Sequence, residues 1–139
     1  MKSTTIIIAI IIIASITNFS QAQPQNTNFW KGGTPGQADN WNCPKNWSKG
    51  SVPDLFQHVI ITDVTTGSGI FPIISSTDNQ VYSLVLESGA KLGIEKGASL
   101  IVHTALEGYG NFEVEAEGAL IYPTESYAEV GGPQVLVGR

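Results

Sequence analysis

Cysteine is almost missing from this sequence: Cys43 stands alone among 139 residues. A single thiol cannot form an internal disulfide, so the fold has to rest on packing. Set between Asn42 and Pro44 in an aromatic segment, Cys43 reads as a buried structural thiol, because free cysteine packs as a small hydrophobe. Histidine is nearly as scarce. His58 and His103 are forty-five residues apart, with no His-x-x-x-His or Cys-x-x-Cys beside them. Zinc needs three or four ligands at recognisable spacing, so no metal is expected. Basic residues are few as well: without Lys2, six remain against twelve acidic ones. No patch of that size neutralises a run of phosphates, which excludes nucleic acid as a partner. Catalytic signatures are missing too. There is no Gly-x-Ser-x-Gly elbow, no Gly-rich loop opening a helix, and no GGxGxDxUx repeat of the kind that builds calcium rolls. Neither a catalytic residue nor a cofactor is therefore expected.

Long apolar runs are limited to one. Ile6 to Ile16 is eleven residues long, follows Lys2, and is succeeded by Ser20-Gln21-Ala22, with small residues at the two positions a signal peptidase reads. A membrane-spanning helix takes about 20 apolar residues, so the run is too short for an anchor. Residues 1–22 are expected to be a signal peptide cleaved after Ala22, which places the mature chain outside the cell or on its surface with no membrane span.

The mature chain, residues 23–139, is long enough to bury one core. Its start reads differently from the rest. Asn28 to Asp54 holds all three tryptophans, three of the seven prolines and many Gly and Asn, a composition of turns. Three indoles within eighteen residues are too much apolar area to leave in water, so Trp30, Trp41 and Trp47 are expected to pack against the later part of the chain. This gives a capping segment over 23–57.

From His58 onward short β-prone runs take over: 58–64, 69–74, 80–87, 91–95, 99–104, 111–115 and 119–123, each bounded by Gly, Ser, Asn or Asp. Leu84/Leu86, Leu92/Ile94, Leu100/Val102 and Phe112/Val114 alternate with other residues and belong on the inner faces of strands. A repeat runs through them: ESGAKLGI, EKGASLIV and AEGALIYP share Gly-Ala followed by apolar residues. The echo is Gly89/Leu92/Ile94, Gly97/Leu100/Val102 and, imperfectly, Gly118/Ile121, at spacings of eight and twenty-one residues. These distances suit a solenoid whose coil contains more than one strand, with glycine supplying the positive φ of each corner. The fold class is thus all-β, a short parallel β-helix over 58–139 with a Trp-rich N-terminal cap. A β-sandwich is the alternative, since it too has strands at such intervals, and antiparallel hairpins would mark it.

The order Trp30-x-Gly32, Trp41, Asn46-Trp47-Ser48, Gly50, Val52-Pro53, Val59-x-Ile61, Pro72-x-Ile74, Ser83-Leu84 and the Gly-Ala-x-Leu corners resembles the N-terminal modules of β-helical surface and adhesin-like proteins secreted by Bacteroidetes. A looser likeness is to autotransporter passenger domains. The resemblance implies a non-enzymatic structural or adhesion module, secreted or held at the cell surface. Family members are usually longer. The apolar run Gly131 to Val137 reads as an uncovered last strand, to be continued by further coils or covered by a partner or a second copy.

Two residue groups carry other chemistry. Glu113, Glu115 and Glu117 alternate with Phe112, Val114 and Ala116, and on a regular strand they would line one face as a solvated, aggregation-resistant row. Asp39 and Asp54 lie near the tryptophans, and a carboxylate beside an indole face is how a sugar is held. The alternative function is accordingly a carbohydrate-binding module using exposed Trp30, Trp41 and Trp47 with Asp39 and Asp54. A third is an N-terminal fragment of a β-helical polysaccharide-degrading enzyme. The partners these readings imply are an extracellular glycan or a cell-surface protein.

Overall fold

The computed structural model describes residues 26–122. The expected leader, 1–22, and the Gly131 to Val137 run lie outside the described residues. Eight strands succeed one another: β1 (Thr27–Phe29), β2 (His58–Ile61), β3 (Ile73–Ile74), β4 (Asn79–Leu86), β5 (Lys91–Ile94), β6 (Ser99–Gly108), β7 (Asn111–Val114) and β8 (Ala119–Ile121). Between β1 and β2 sits a 3-10 turn, Pro44–Asn46.

All six ladders between these strands are parallel. One sheet has the order β1-β2-β4-β6-β8 and the other β3-β5-β7. From β2 onward successive strands therefore alternate between the sheets, and the chain winds as a β-solenoid of about three turns. Parallel neighbours cannot be joined by tight hairpins, so the sandwich alternative falls.

The long strands β4 and β6 each turn a corner without leaving their sheet. Along β4 the inward side chains are Val81, then Leu84 and Leu86, so alternation slips by one residue at the register irregularity between Val81 and Ser83. An irregularity of this kind bends a strand. Before it, β4 pairs with the start of β6; after it, Ser83 to Leu86 pair with β2 on one side and with Ala105 to Gly108 on the other. Residues 105–108 carry only one large apolar side chain, Leu106, which is why that half of β6 is harder to read in the sequence than its first half.

The apolar pairs expected to face inward do so. Leu84, Leu86, Leu92, Ile94, Leu100, Val102 and Phe112 are buried, and Val114 is half-buried. Register stacks them into columns: Val59, Leu84, Leu106; Ile61, Leu86; Leu92, Phe112; Ile74, Ile94, Val114. Each fully buried Val, Leu or Ile contributes about 1.5–3 kcal/mol by leaving water, and the columns make that gain cumulative along the solenoid.

The tryptophan segment closes the first turn by continuing these columns. Phe29 pairs with Ile60, so Trp30, one residue on, lies over Ile61. Asn40 bridges Ile73 in parallel, so Trp41 lies over Ile74. The third indole, Trp47, fills the space between them, edge to face with Trp30 at 5.0 Å and with Trp41 at 4.7 Å between ring centroids. Two buried asparagines tie the loop around the rings. Asn46 Nδ2 donates to the carbonyls of Gln37 and Asn40, while its Oδ1 accepts from Thr34 N. Asn28 Nδ2 donates to Ser51 O and Gln57 Oε1. Residues so rich in turn formers are thus ordered by indole burial, and Cys43 is a buried free thiol among them.

Two local readings are corrected. Gly118 is not the equivalent of Gly97: Ser99 pairs with Ala119, a step of twenty, so Glu117 takes the Gly97 position and Gly118 that of Ala98. The carboxylates Glu113, Glu115 and Glu117 do not form one row either. Strand β7 ends at Val114, and Glu115 and Glu117 belong to the turn before β8.

Candidate functional site

The indoles do not offer a platform. Trp30, Trp41 and Trp47 are 2%, 0% and 0% exposed, so no ring face meets solvent. Two of their N–H groups bond inside the protein, Trp30 Nε1 to Ile70 O at 2.8 Å and Trp47 Nε1 to Trp41 O at 2.7 Å. The requirement for exposed tryptophan in the glycan reading is therefore not met. Asp54 folds back on its own loop, its Oδ1 accepting from Phe56 N at 2.9 Å, as aspartate does in a turn. Asp39 lines a concave surface.

That surface is the outside of β3-β5-β7. Ile73, Gly93 and Glu113 occupy one outward row across the three strands. Gly93, having no side chain, leaves a trough between its neighbours. The resulting groove has a volume of about 430 Å³, floored by Ile73 and Gly93 and walled by Phe71, Lys91 and four carboxylates. Asp39 enters from the cap because its carbonyl accepts Ile73 N at 2.7 Å. Glu95 and Glu115 enter from the ends of β5 and β7, one coil apart, each continuing its ladder through its backbone N–H. Glu113 and Glu115, expected in a single strand row, are thus brought together with Asp39 by the winding of the chain.

Four carboxylates against one lysine give the groove a negative field. Glu115 Oε2 accepts the backbone N–H of Lys96 at 3.2 Å, and Lys96 Nζ leans toward Glu117 at 3.7 Å, an exposed pair that contributes little to stability. Nowhere among the described residues are three His, Cys, Asp or Glu side chains grouped so as to hold a metal ion. The groove can attract a cation through its field while its aliphatic floor accepts a side-chain stem.

The outside of the other sheet carries a second groove, of about 460 Å³. One row across it is Thr27, His58, Ser83, Ala105, and another is Phe29, Ile60, Val85, Glu107. His58 Nδ1 lies 2.7 Å from Ser83 Oγ, and its ring meets Tyr82 edge to face at 4.9 Å. His103, by contrast, stands on the surface with Nε2 2.9 Å from Gln80 Oε1, so the two histidines do not converge. Nothing in the spacing of single residues announces this row. The available signal was the alignment of HVII, SLVL and ALEG, whose second residues share one inward column and whose first residues share one outward row.

A family model described as Domain of unknown function (DUF8693) matches residues 29–136. The chain belongs to the DUF8693 family. No curated protein and no solved structure matches it. The DUF8693 match begins at Phe29, so it takes in the indole cap, all of the groove over β3-β5-β7, and all of the second groove's lining except Thr27.

Proposed function

We propose that this DUF8693 protein is a non-enzymatic adhesion module that works outside the cell, and that the groove over β3-β5-β7 holds a basic segment of a cell-surface protein. The observation that carries the proposal is that Asp39, Glu95, Glu113 and Glu115 all line one groove with an aliphatic floor. Glu113 lies on β7, while Asp39, Glu95 and Glu115 lie in turns or at strand ends whose backbone is bonded to the adjacent coil, through Asp39 O to Ile73 N, Glu95 N to Ile74 O and Glu115 N to Ile94 O. A Lys or Arg side chain laid in the trough would place its stem on Ile73 and Gly93 and its charge among the carboxylates. The export part of the proposal rests on the leader-like residues 1–22.

Binding of an octalysine peptide to the protein, measured by calorimetry, tests the groove. Affinity should fall with added salt, and about tenfold in the triple variant Asp39→Asn, Glu113→Gln, Glu115→Gln. Equal binding by the variant would refute the assignment. Fractionation of expressing cells tests export: the protein should leave the cytoplasm with Gln23 as its first residue.

A further inference from the structure

The groove on the opposite sheet has a different chemistry. Its lining contains Thr27, His58, Ser83, Thr104, Glu87 and Glu107 together with the apolar Ile60 and Val85 in one row and Ala105 in the next, and no lysine or arginine. Such a lining repels anions, because it has two carboxylates and no fixed cation to balance them. Its charged acceptors are Glu87 and Glu107, the hydroxyls of Ser83 and Thr104 are already bonded within the protein, and Ile60 and Val85 lie between the His58 row and Glu87.

The small side chains of Ser83 and Ala105 occupy two adjacent rungs and keep the floor low. His58 is held in place from two directions, by Ser83 Oγ at 2.7 Å and by a T-shaped contact with the Tyr82 ring, whose residue is 42% exposed. Thr104 is positioned through its hydroxyl, which donates to Tyr82 O at 2.7 Å. The row from Thr27 to Ala105 covers three inter-strand spacings, roughly 14 Å at about 4.8 Å each, enough for a short run of sugar rings.

From this arrangement we infer that the groove is a binding site for a neutral, linear polysaccharide chain. The C–H faces of the pyranose rings lie on Ile60, Val85 and Ala105. Their hydroxyls donate to Glu87 and Glu107 and exchange hydrogen bonds with the His58 ring. A carboxylate accepting from a hydroxyl makes a shorter and stronger bond than a neutral acceptor does, which is what a ligand without charge requires for orientation. A basic peptide is better served by the other groove, which four carboxylates line.

The test uses cellohexaose and mannohexaose as neutral probes and octalysine as the competing class, with binding to the protein read by nuclear magnetic resonance. At least one hexasaccharide should shift the amides of His58, Ser83, Thr104 and Ala105 and leave those of Gly93 and Glu113 in place. Ala105→Leu, which fills the trough from outside the core, should weaken binding about tenfold, and Glu107→Gln, which removes one charged acceptor, about as much. Glu113→Gln should leave sugar binding unchanged. Failure of both hexasaccharides to bind, shifts confined to the β3-β5-β7 face, octalysine displacing the sugar, or full affinity in folded Glu107→Gln protein would each overturn the inference. Octalysine binding at the first groove is read independently, so loss of one proposal does not remove the other.

Discussion

Gly97 and Glu117 hold the same corner in successive coils, and both have a left-handed backbone, with φ of +73° and +62°. The corner geometry is therefore a property of the winding, imposed even where the residue has a side chain. A non-glycine residue in that region is strained by roughly 1 kcal/mol. Replacing Glu117 with Gly should stabilise the protein by about that amount, because the ion pair it gives up with Lys96 is exposed. Gly97→Ala should cost about the same, since space is open around Gly97 and only the backbone objects. Urea denaturation of both variants checks the opposite signs.

Gly108 presents a stricter case. Its φ is +110°, and a Cβ placed there would be driven into the Leu86 carbonyl, which already accepts Tyr109 N and Gly110 N at 3.0 and 3.2 Å. Here the two-residue connection Tyr109-Gly110 replaces the four-residue Glu87-Ser88-Gly89-Ala90 turn one coil earlier. Gly108→Ala should destabilise by about 3 kcal/mol or more, well beyond Gly97→Ala, because backbone has to move and two hydrogen bonds with it. A comparison of thermal midpoints for the two alanine variants decides.

The solenoid was legible because its core pairs and two of its corners repeat residue by residue: Gly89, Ala90, Leu92, Ile94 and Gly97, Ala98, Leu100, Val102. The cap was legible from area alone, since three indoles have nowhere else to go. Misreading began where identity and register part company. Gly118 looks like Gly97 but stands one place beyond it, and glycine there serves close packing, with Glu95 O 3.0 Å from where its Cβ would be. The grooves depend on which residues meet across coils, at offsets of twenty-five between His58 and Ser83 but twenty-two between Ser83 and Ala105. Unequal offsets conceal a row from any search for a fixed period.

Asp63 gives the fold a modest dependence on pH. Hydrogen bonds from the Thr65 side chain and backbone N–H, the latter at 3.0 Å, hold its carboxyl below the ordinary value of 3.8. The native state thus binds this proton less tightly than the unfolded chain does. Its contribution is complete above the ordinary carboxylate range and fades as pH falls through the lowered native value. Asp63→Asn should therefore lose stability relative to the wild type at neutral pH and match it in acid. Carbon-detected titration of the Asp63 carboxyl, together with denaturation at both pH values, tests direction and window; a difference that grows in acid would contradict it.

The indole cap makes unequal demands on its three members. Trp47 and Trp41 are both fully buried, yet Trp47 Nε1 donates to Trp41 O at 2.7 Å while Trp41 Nε1 has no protein acceptor. Trp41→Phe consequently loses ring area over the Ile74 column and relieves a buried donor left unpaired. Trp47→Phe loses similar area, breaks the bond, and strands the Trp41 carbonyl inside the cap. An unsatisfied buried group costs about 1–3 kcal/mol, so Trp47→Phe should be the more destabilising of the two by about that margin. Trp47→Ala should cost about 3–5 kcal/mol, as large buried aromatics do when truncated. In the intact protein, iodide should fail to quench any of the three tryptophans, with emission blue-shifted as for rings away from water. Equal losses for Trp41→Phe and Trp47→Phe would mean that packing alone, and not the N–H bond, holds the cap together.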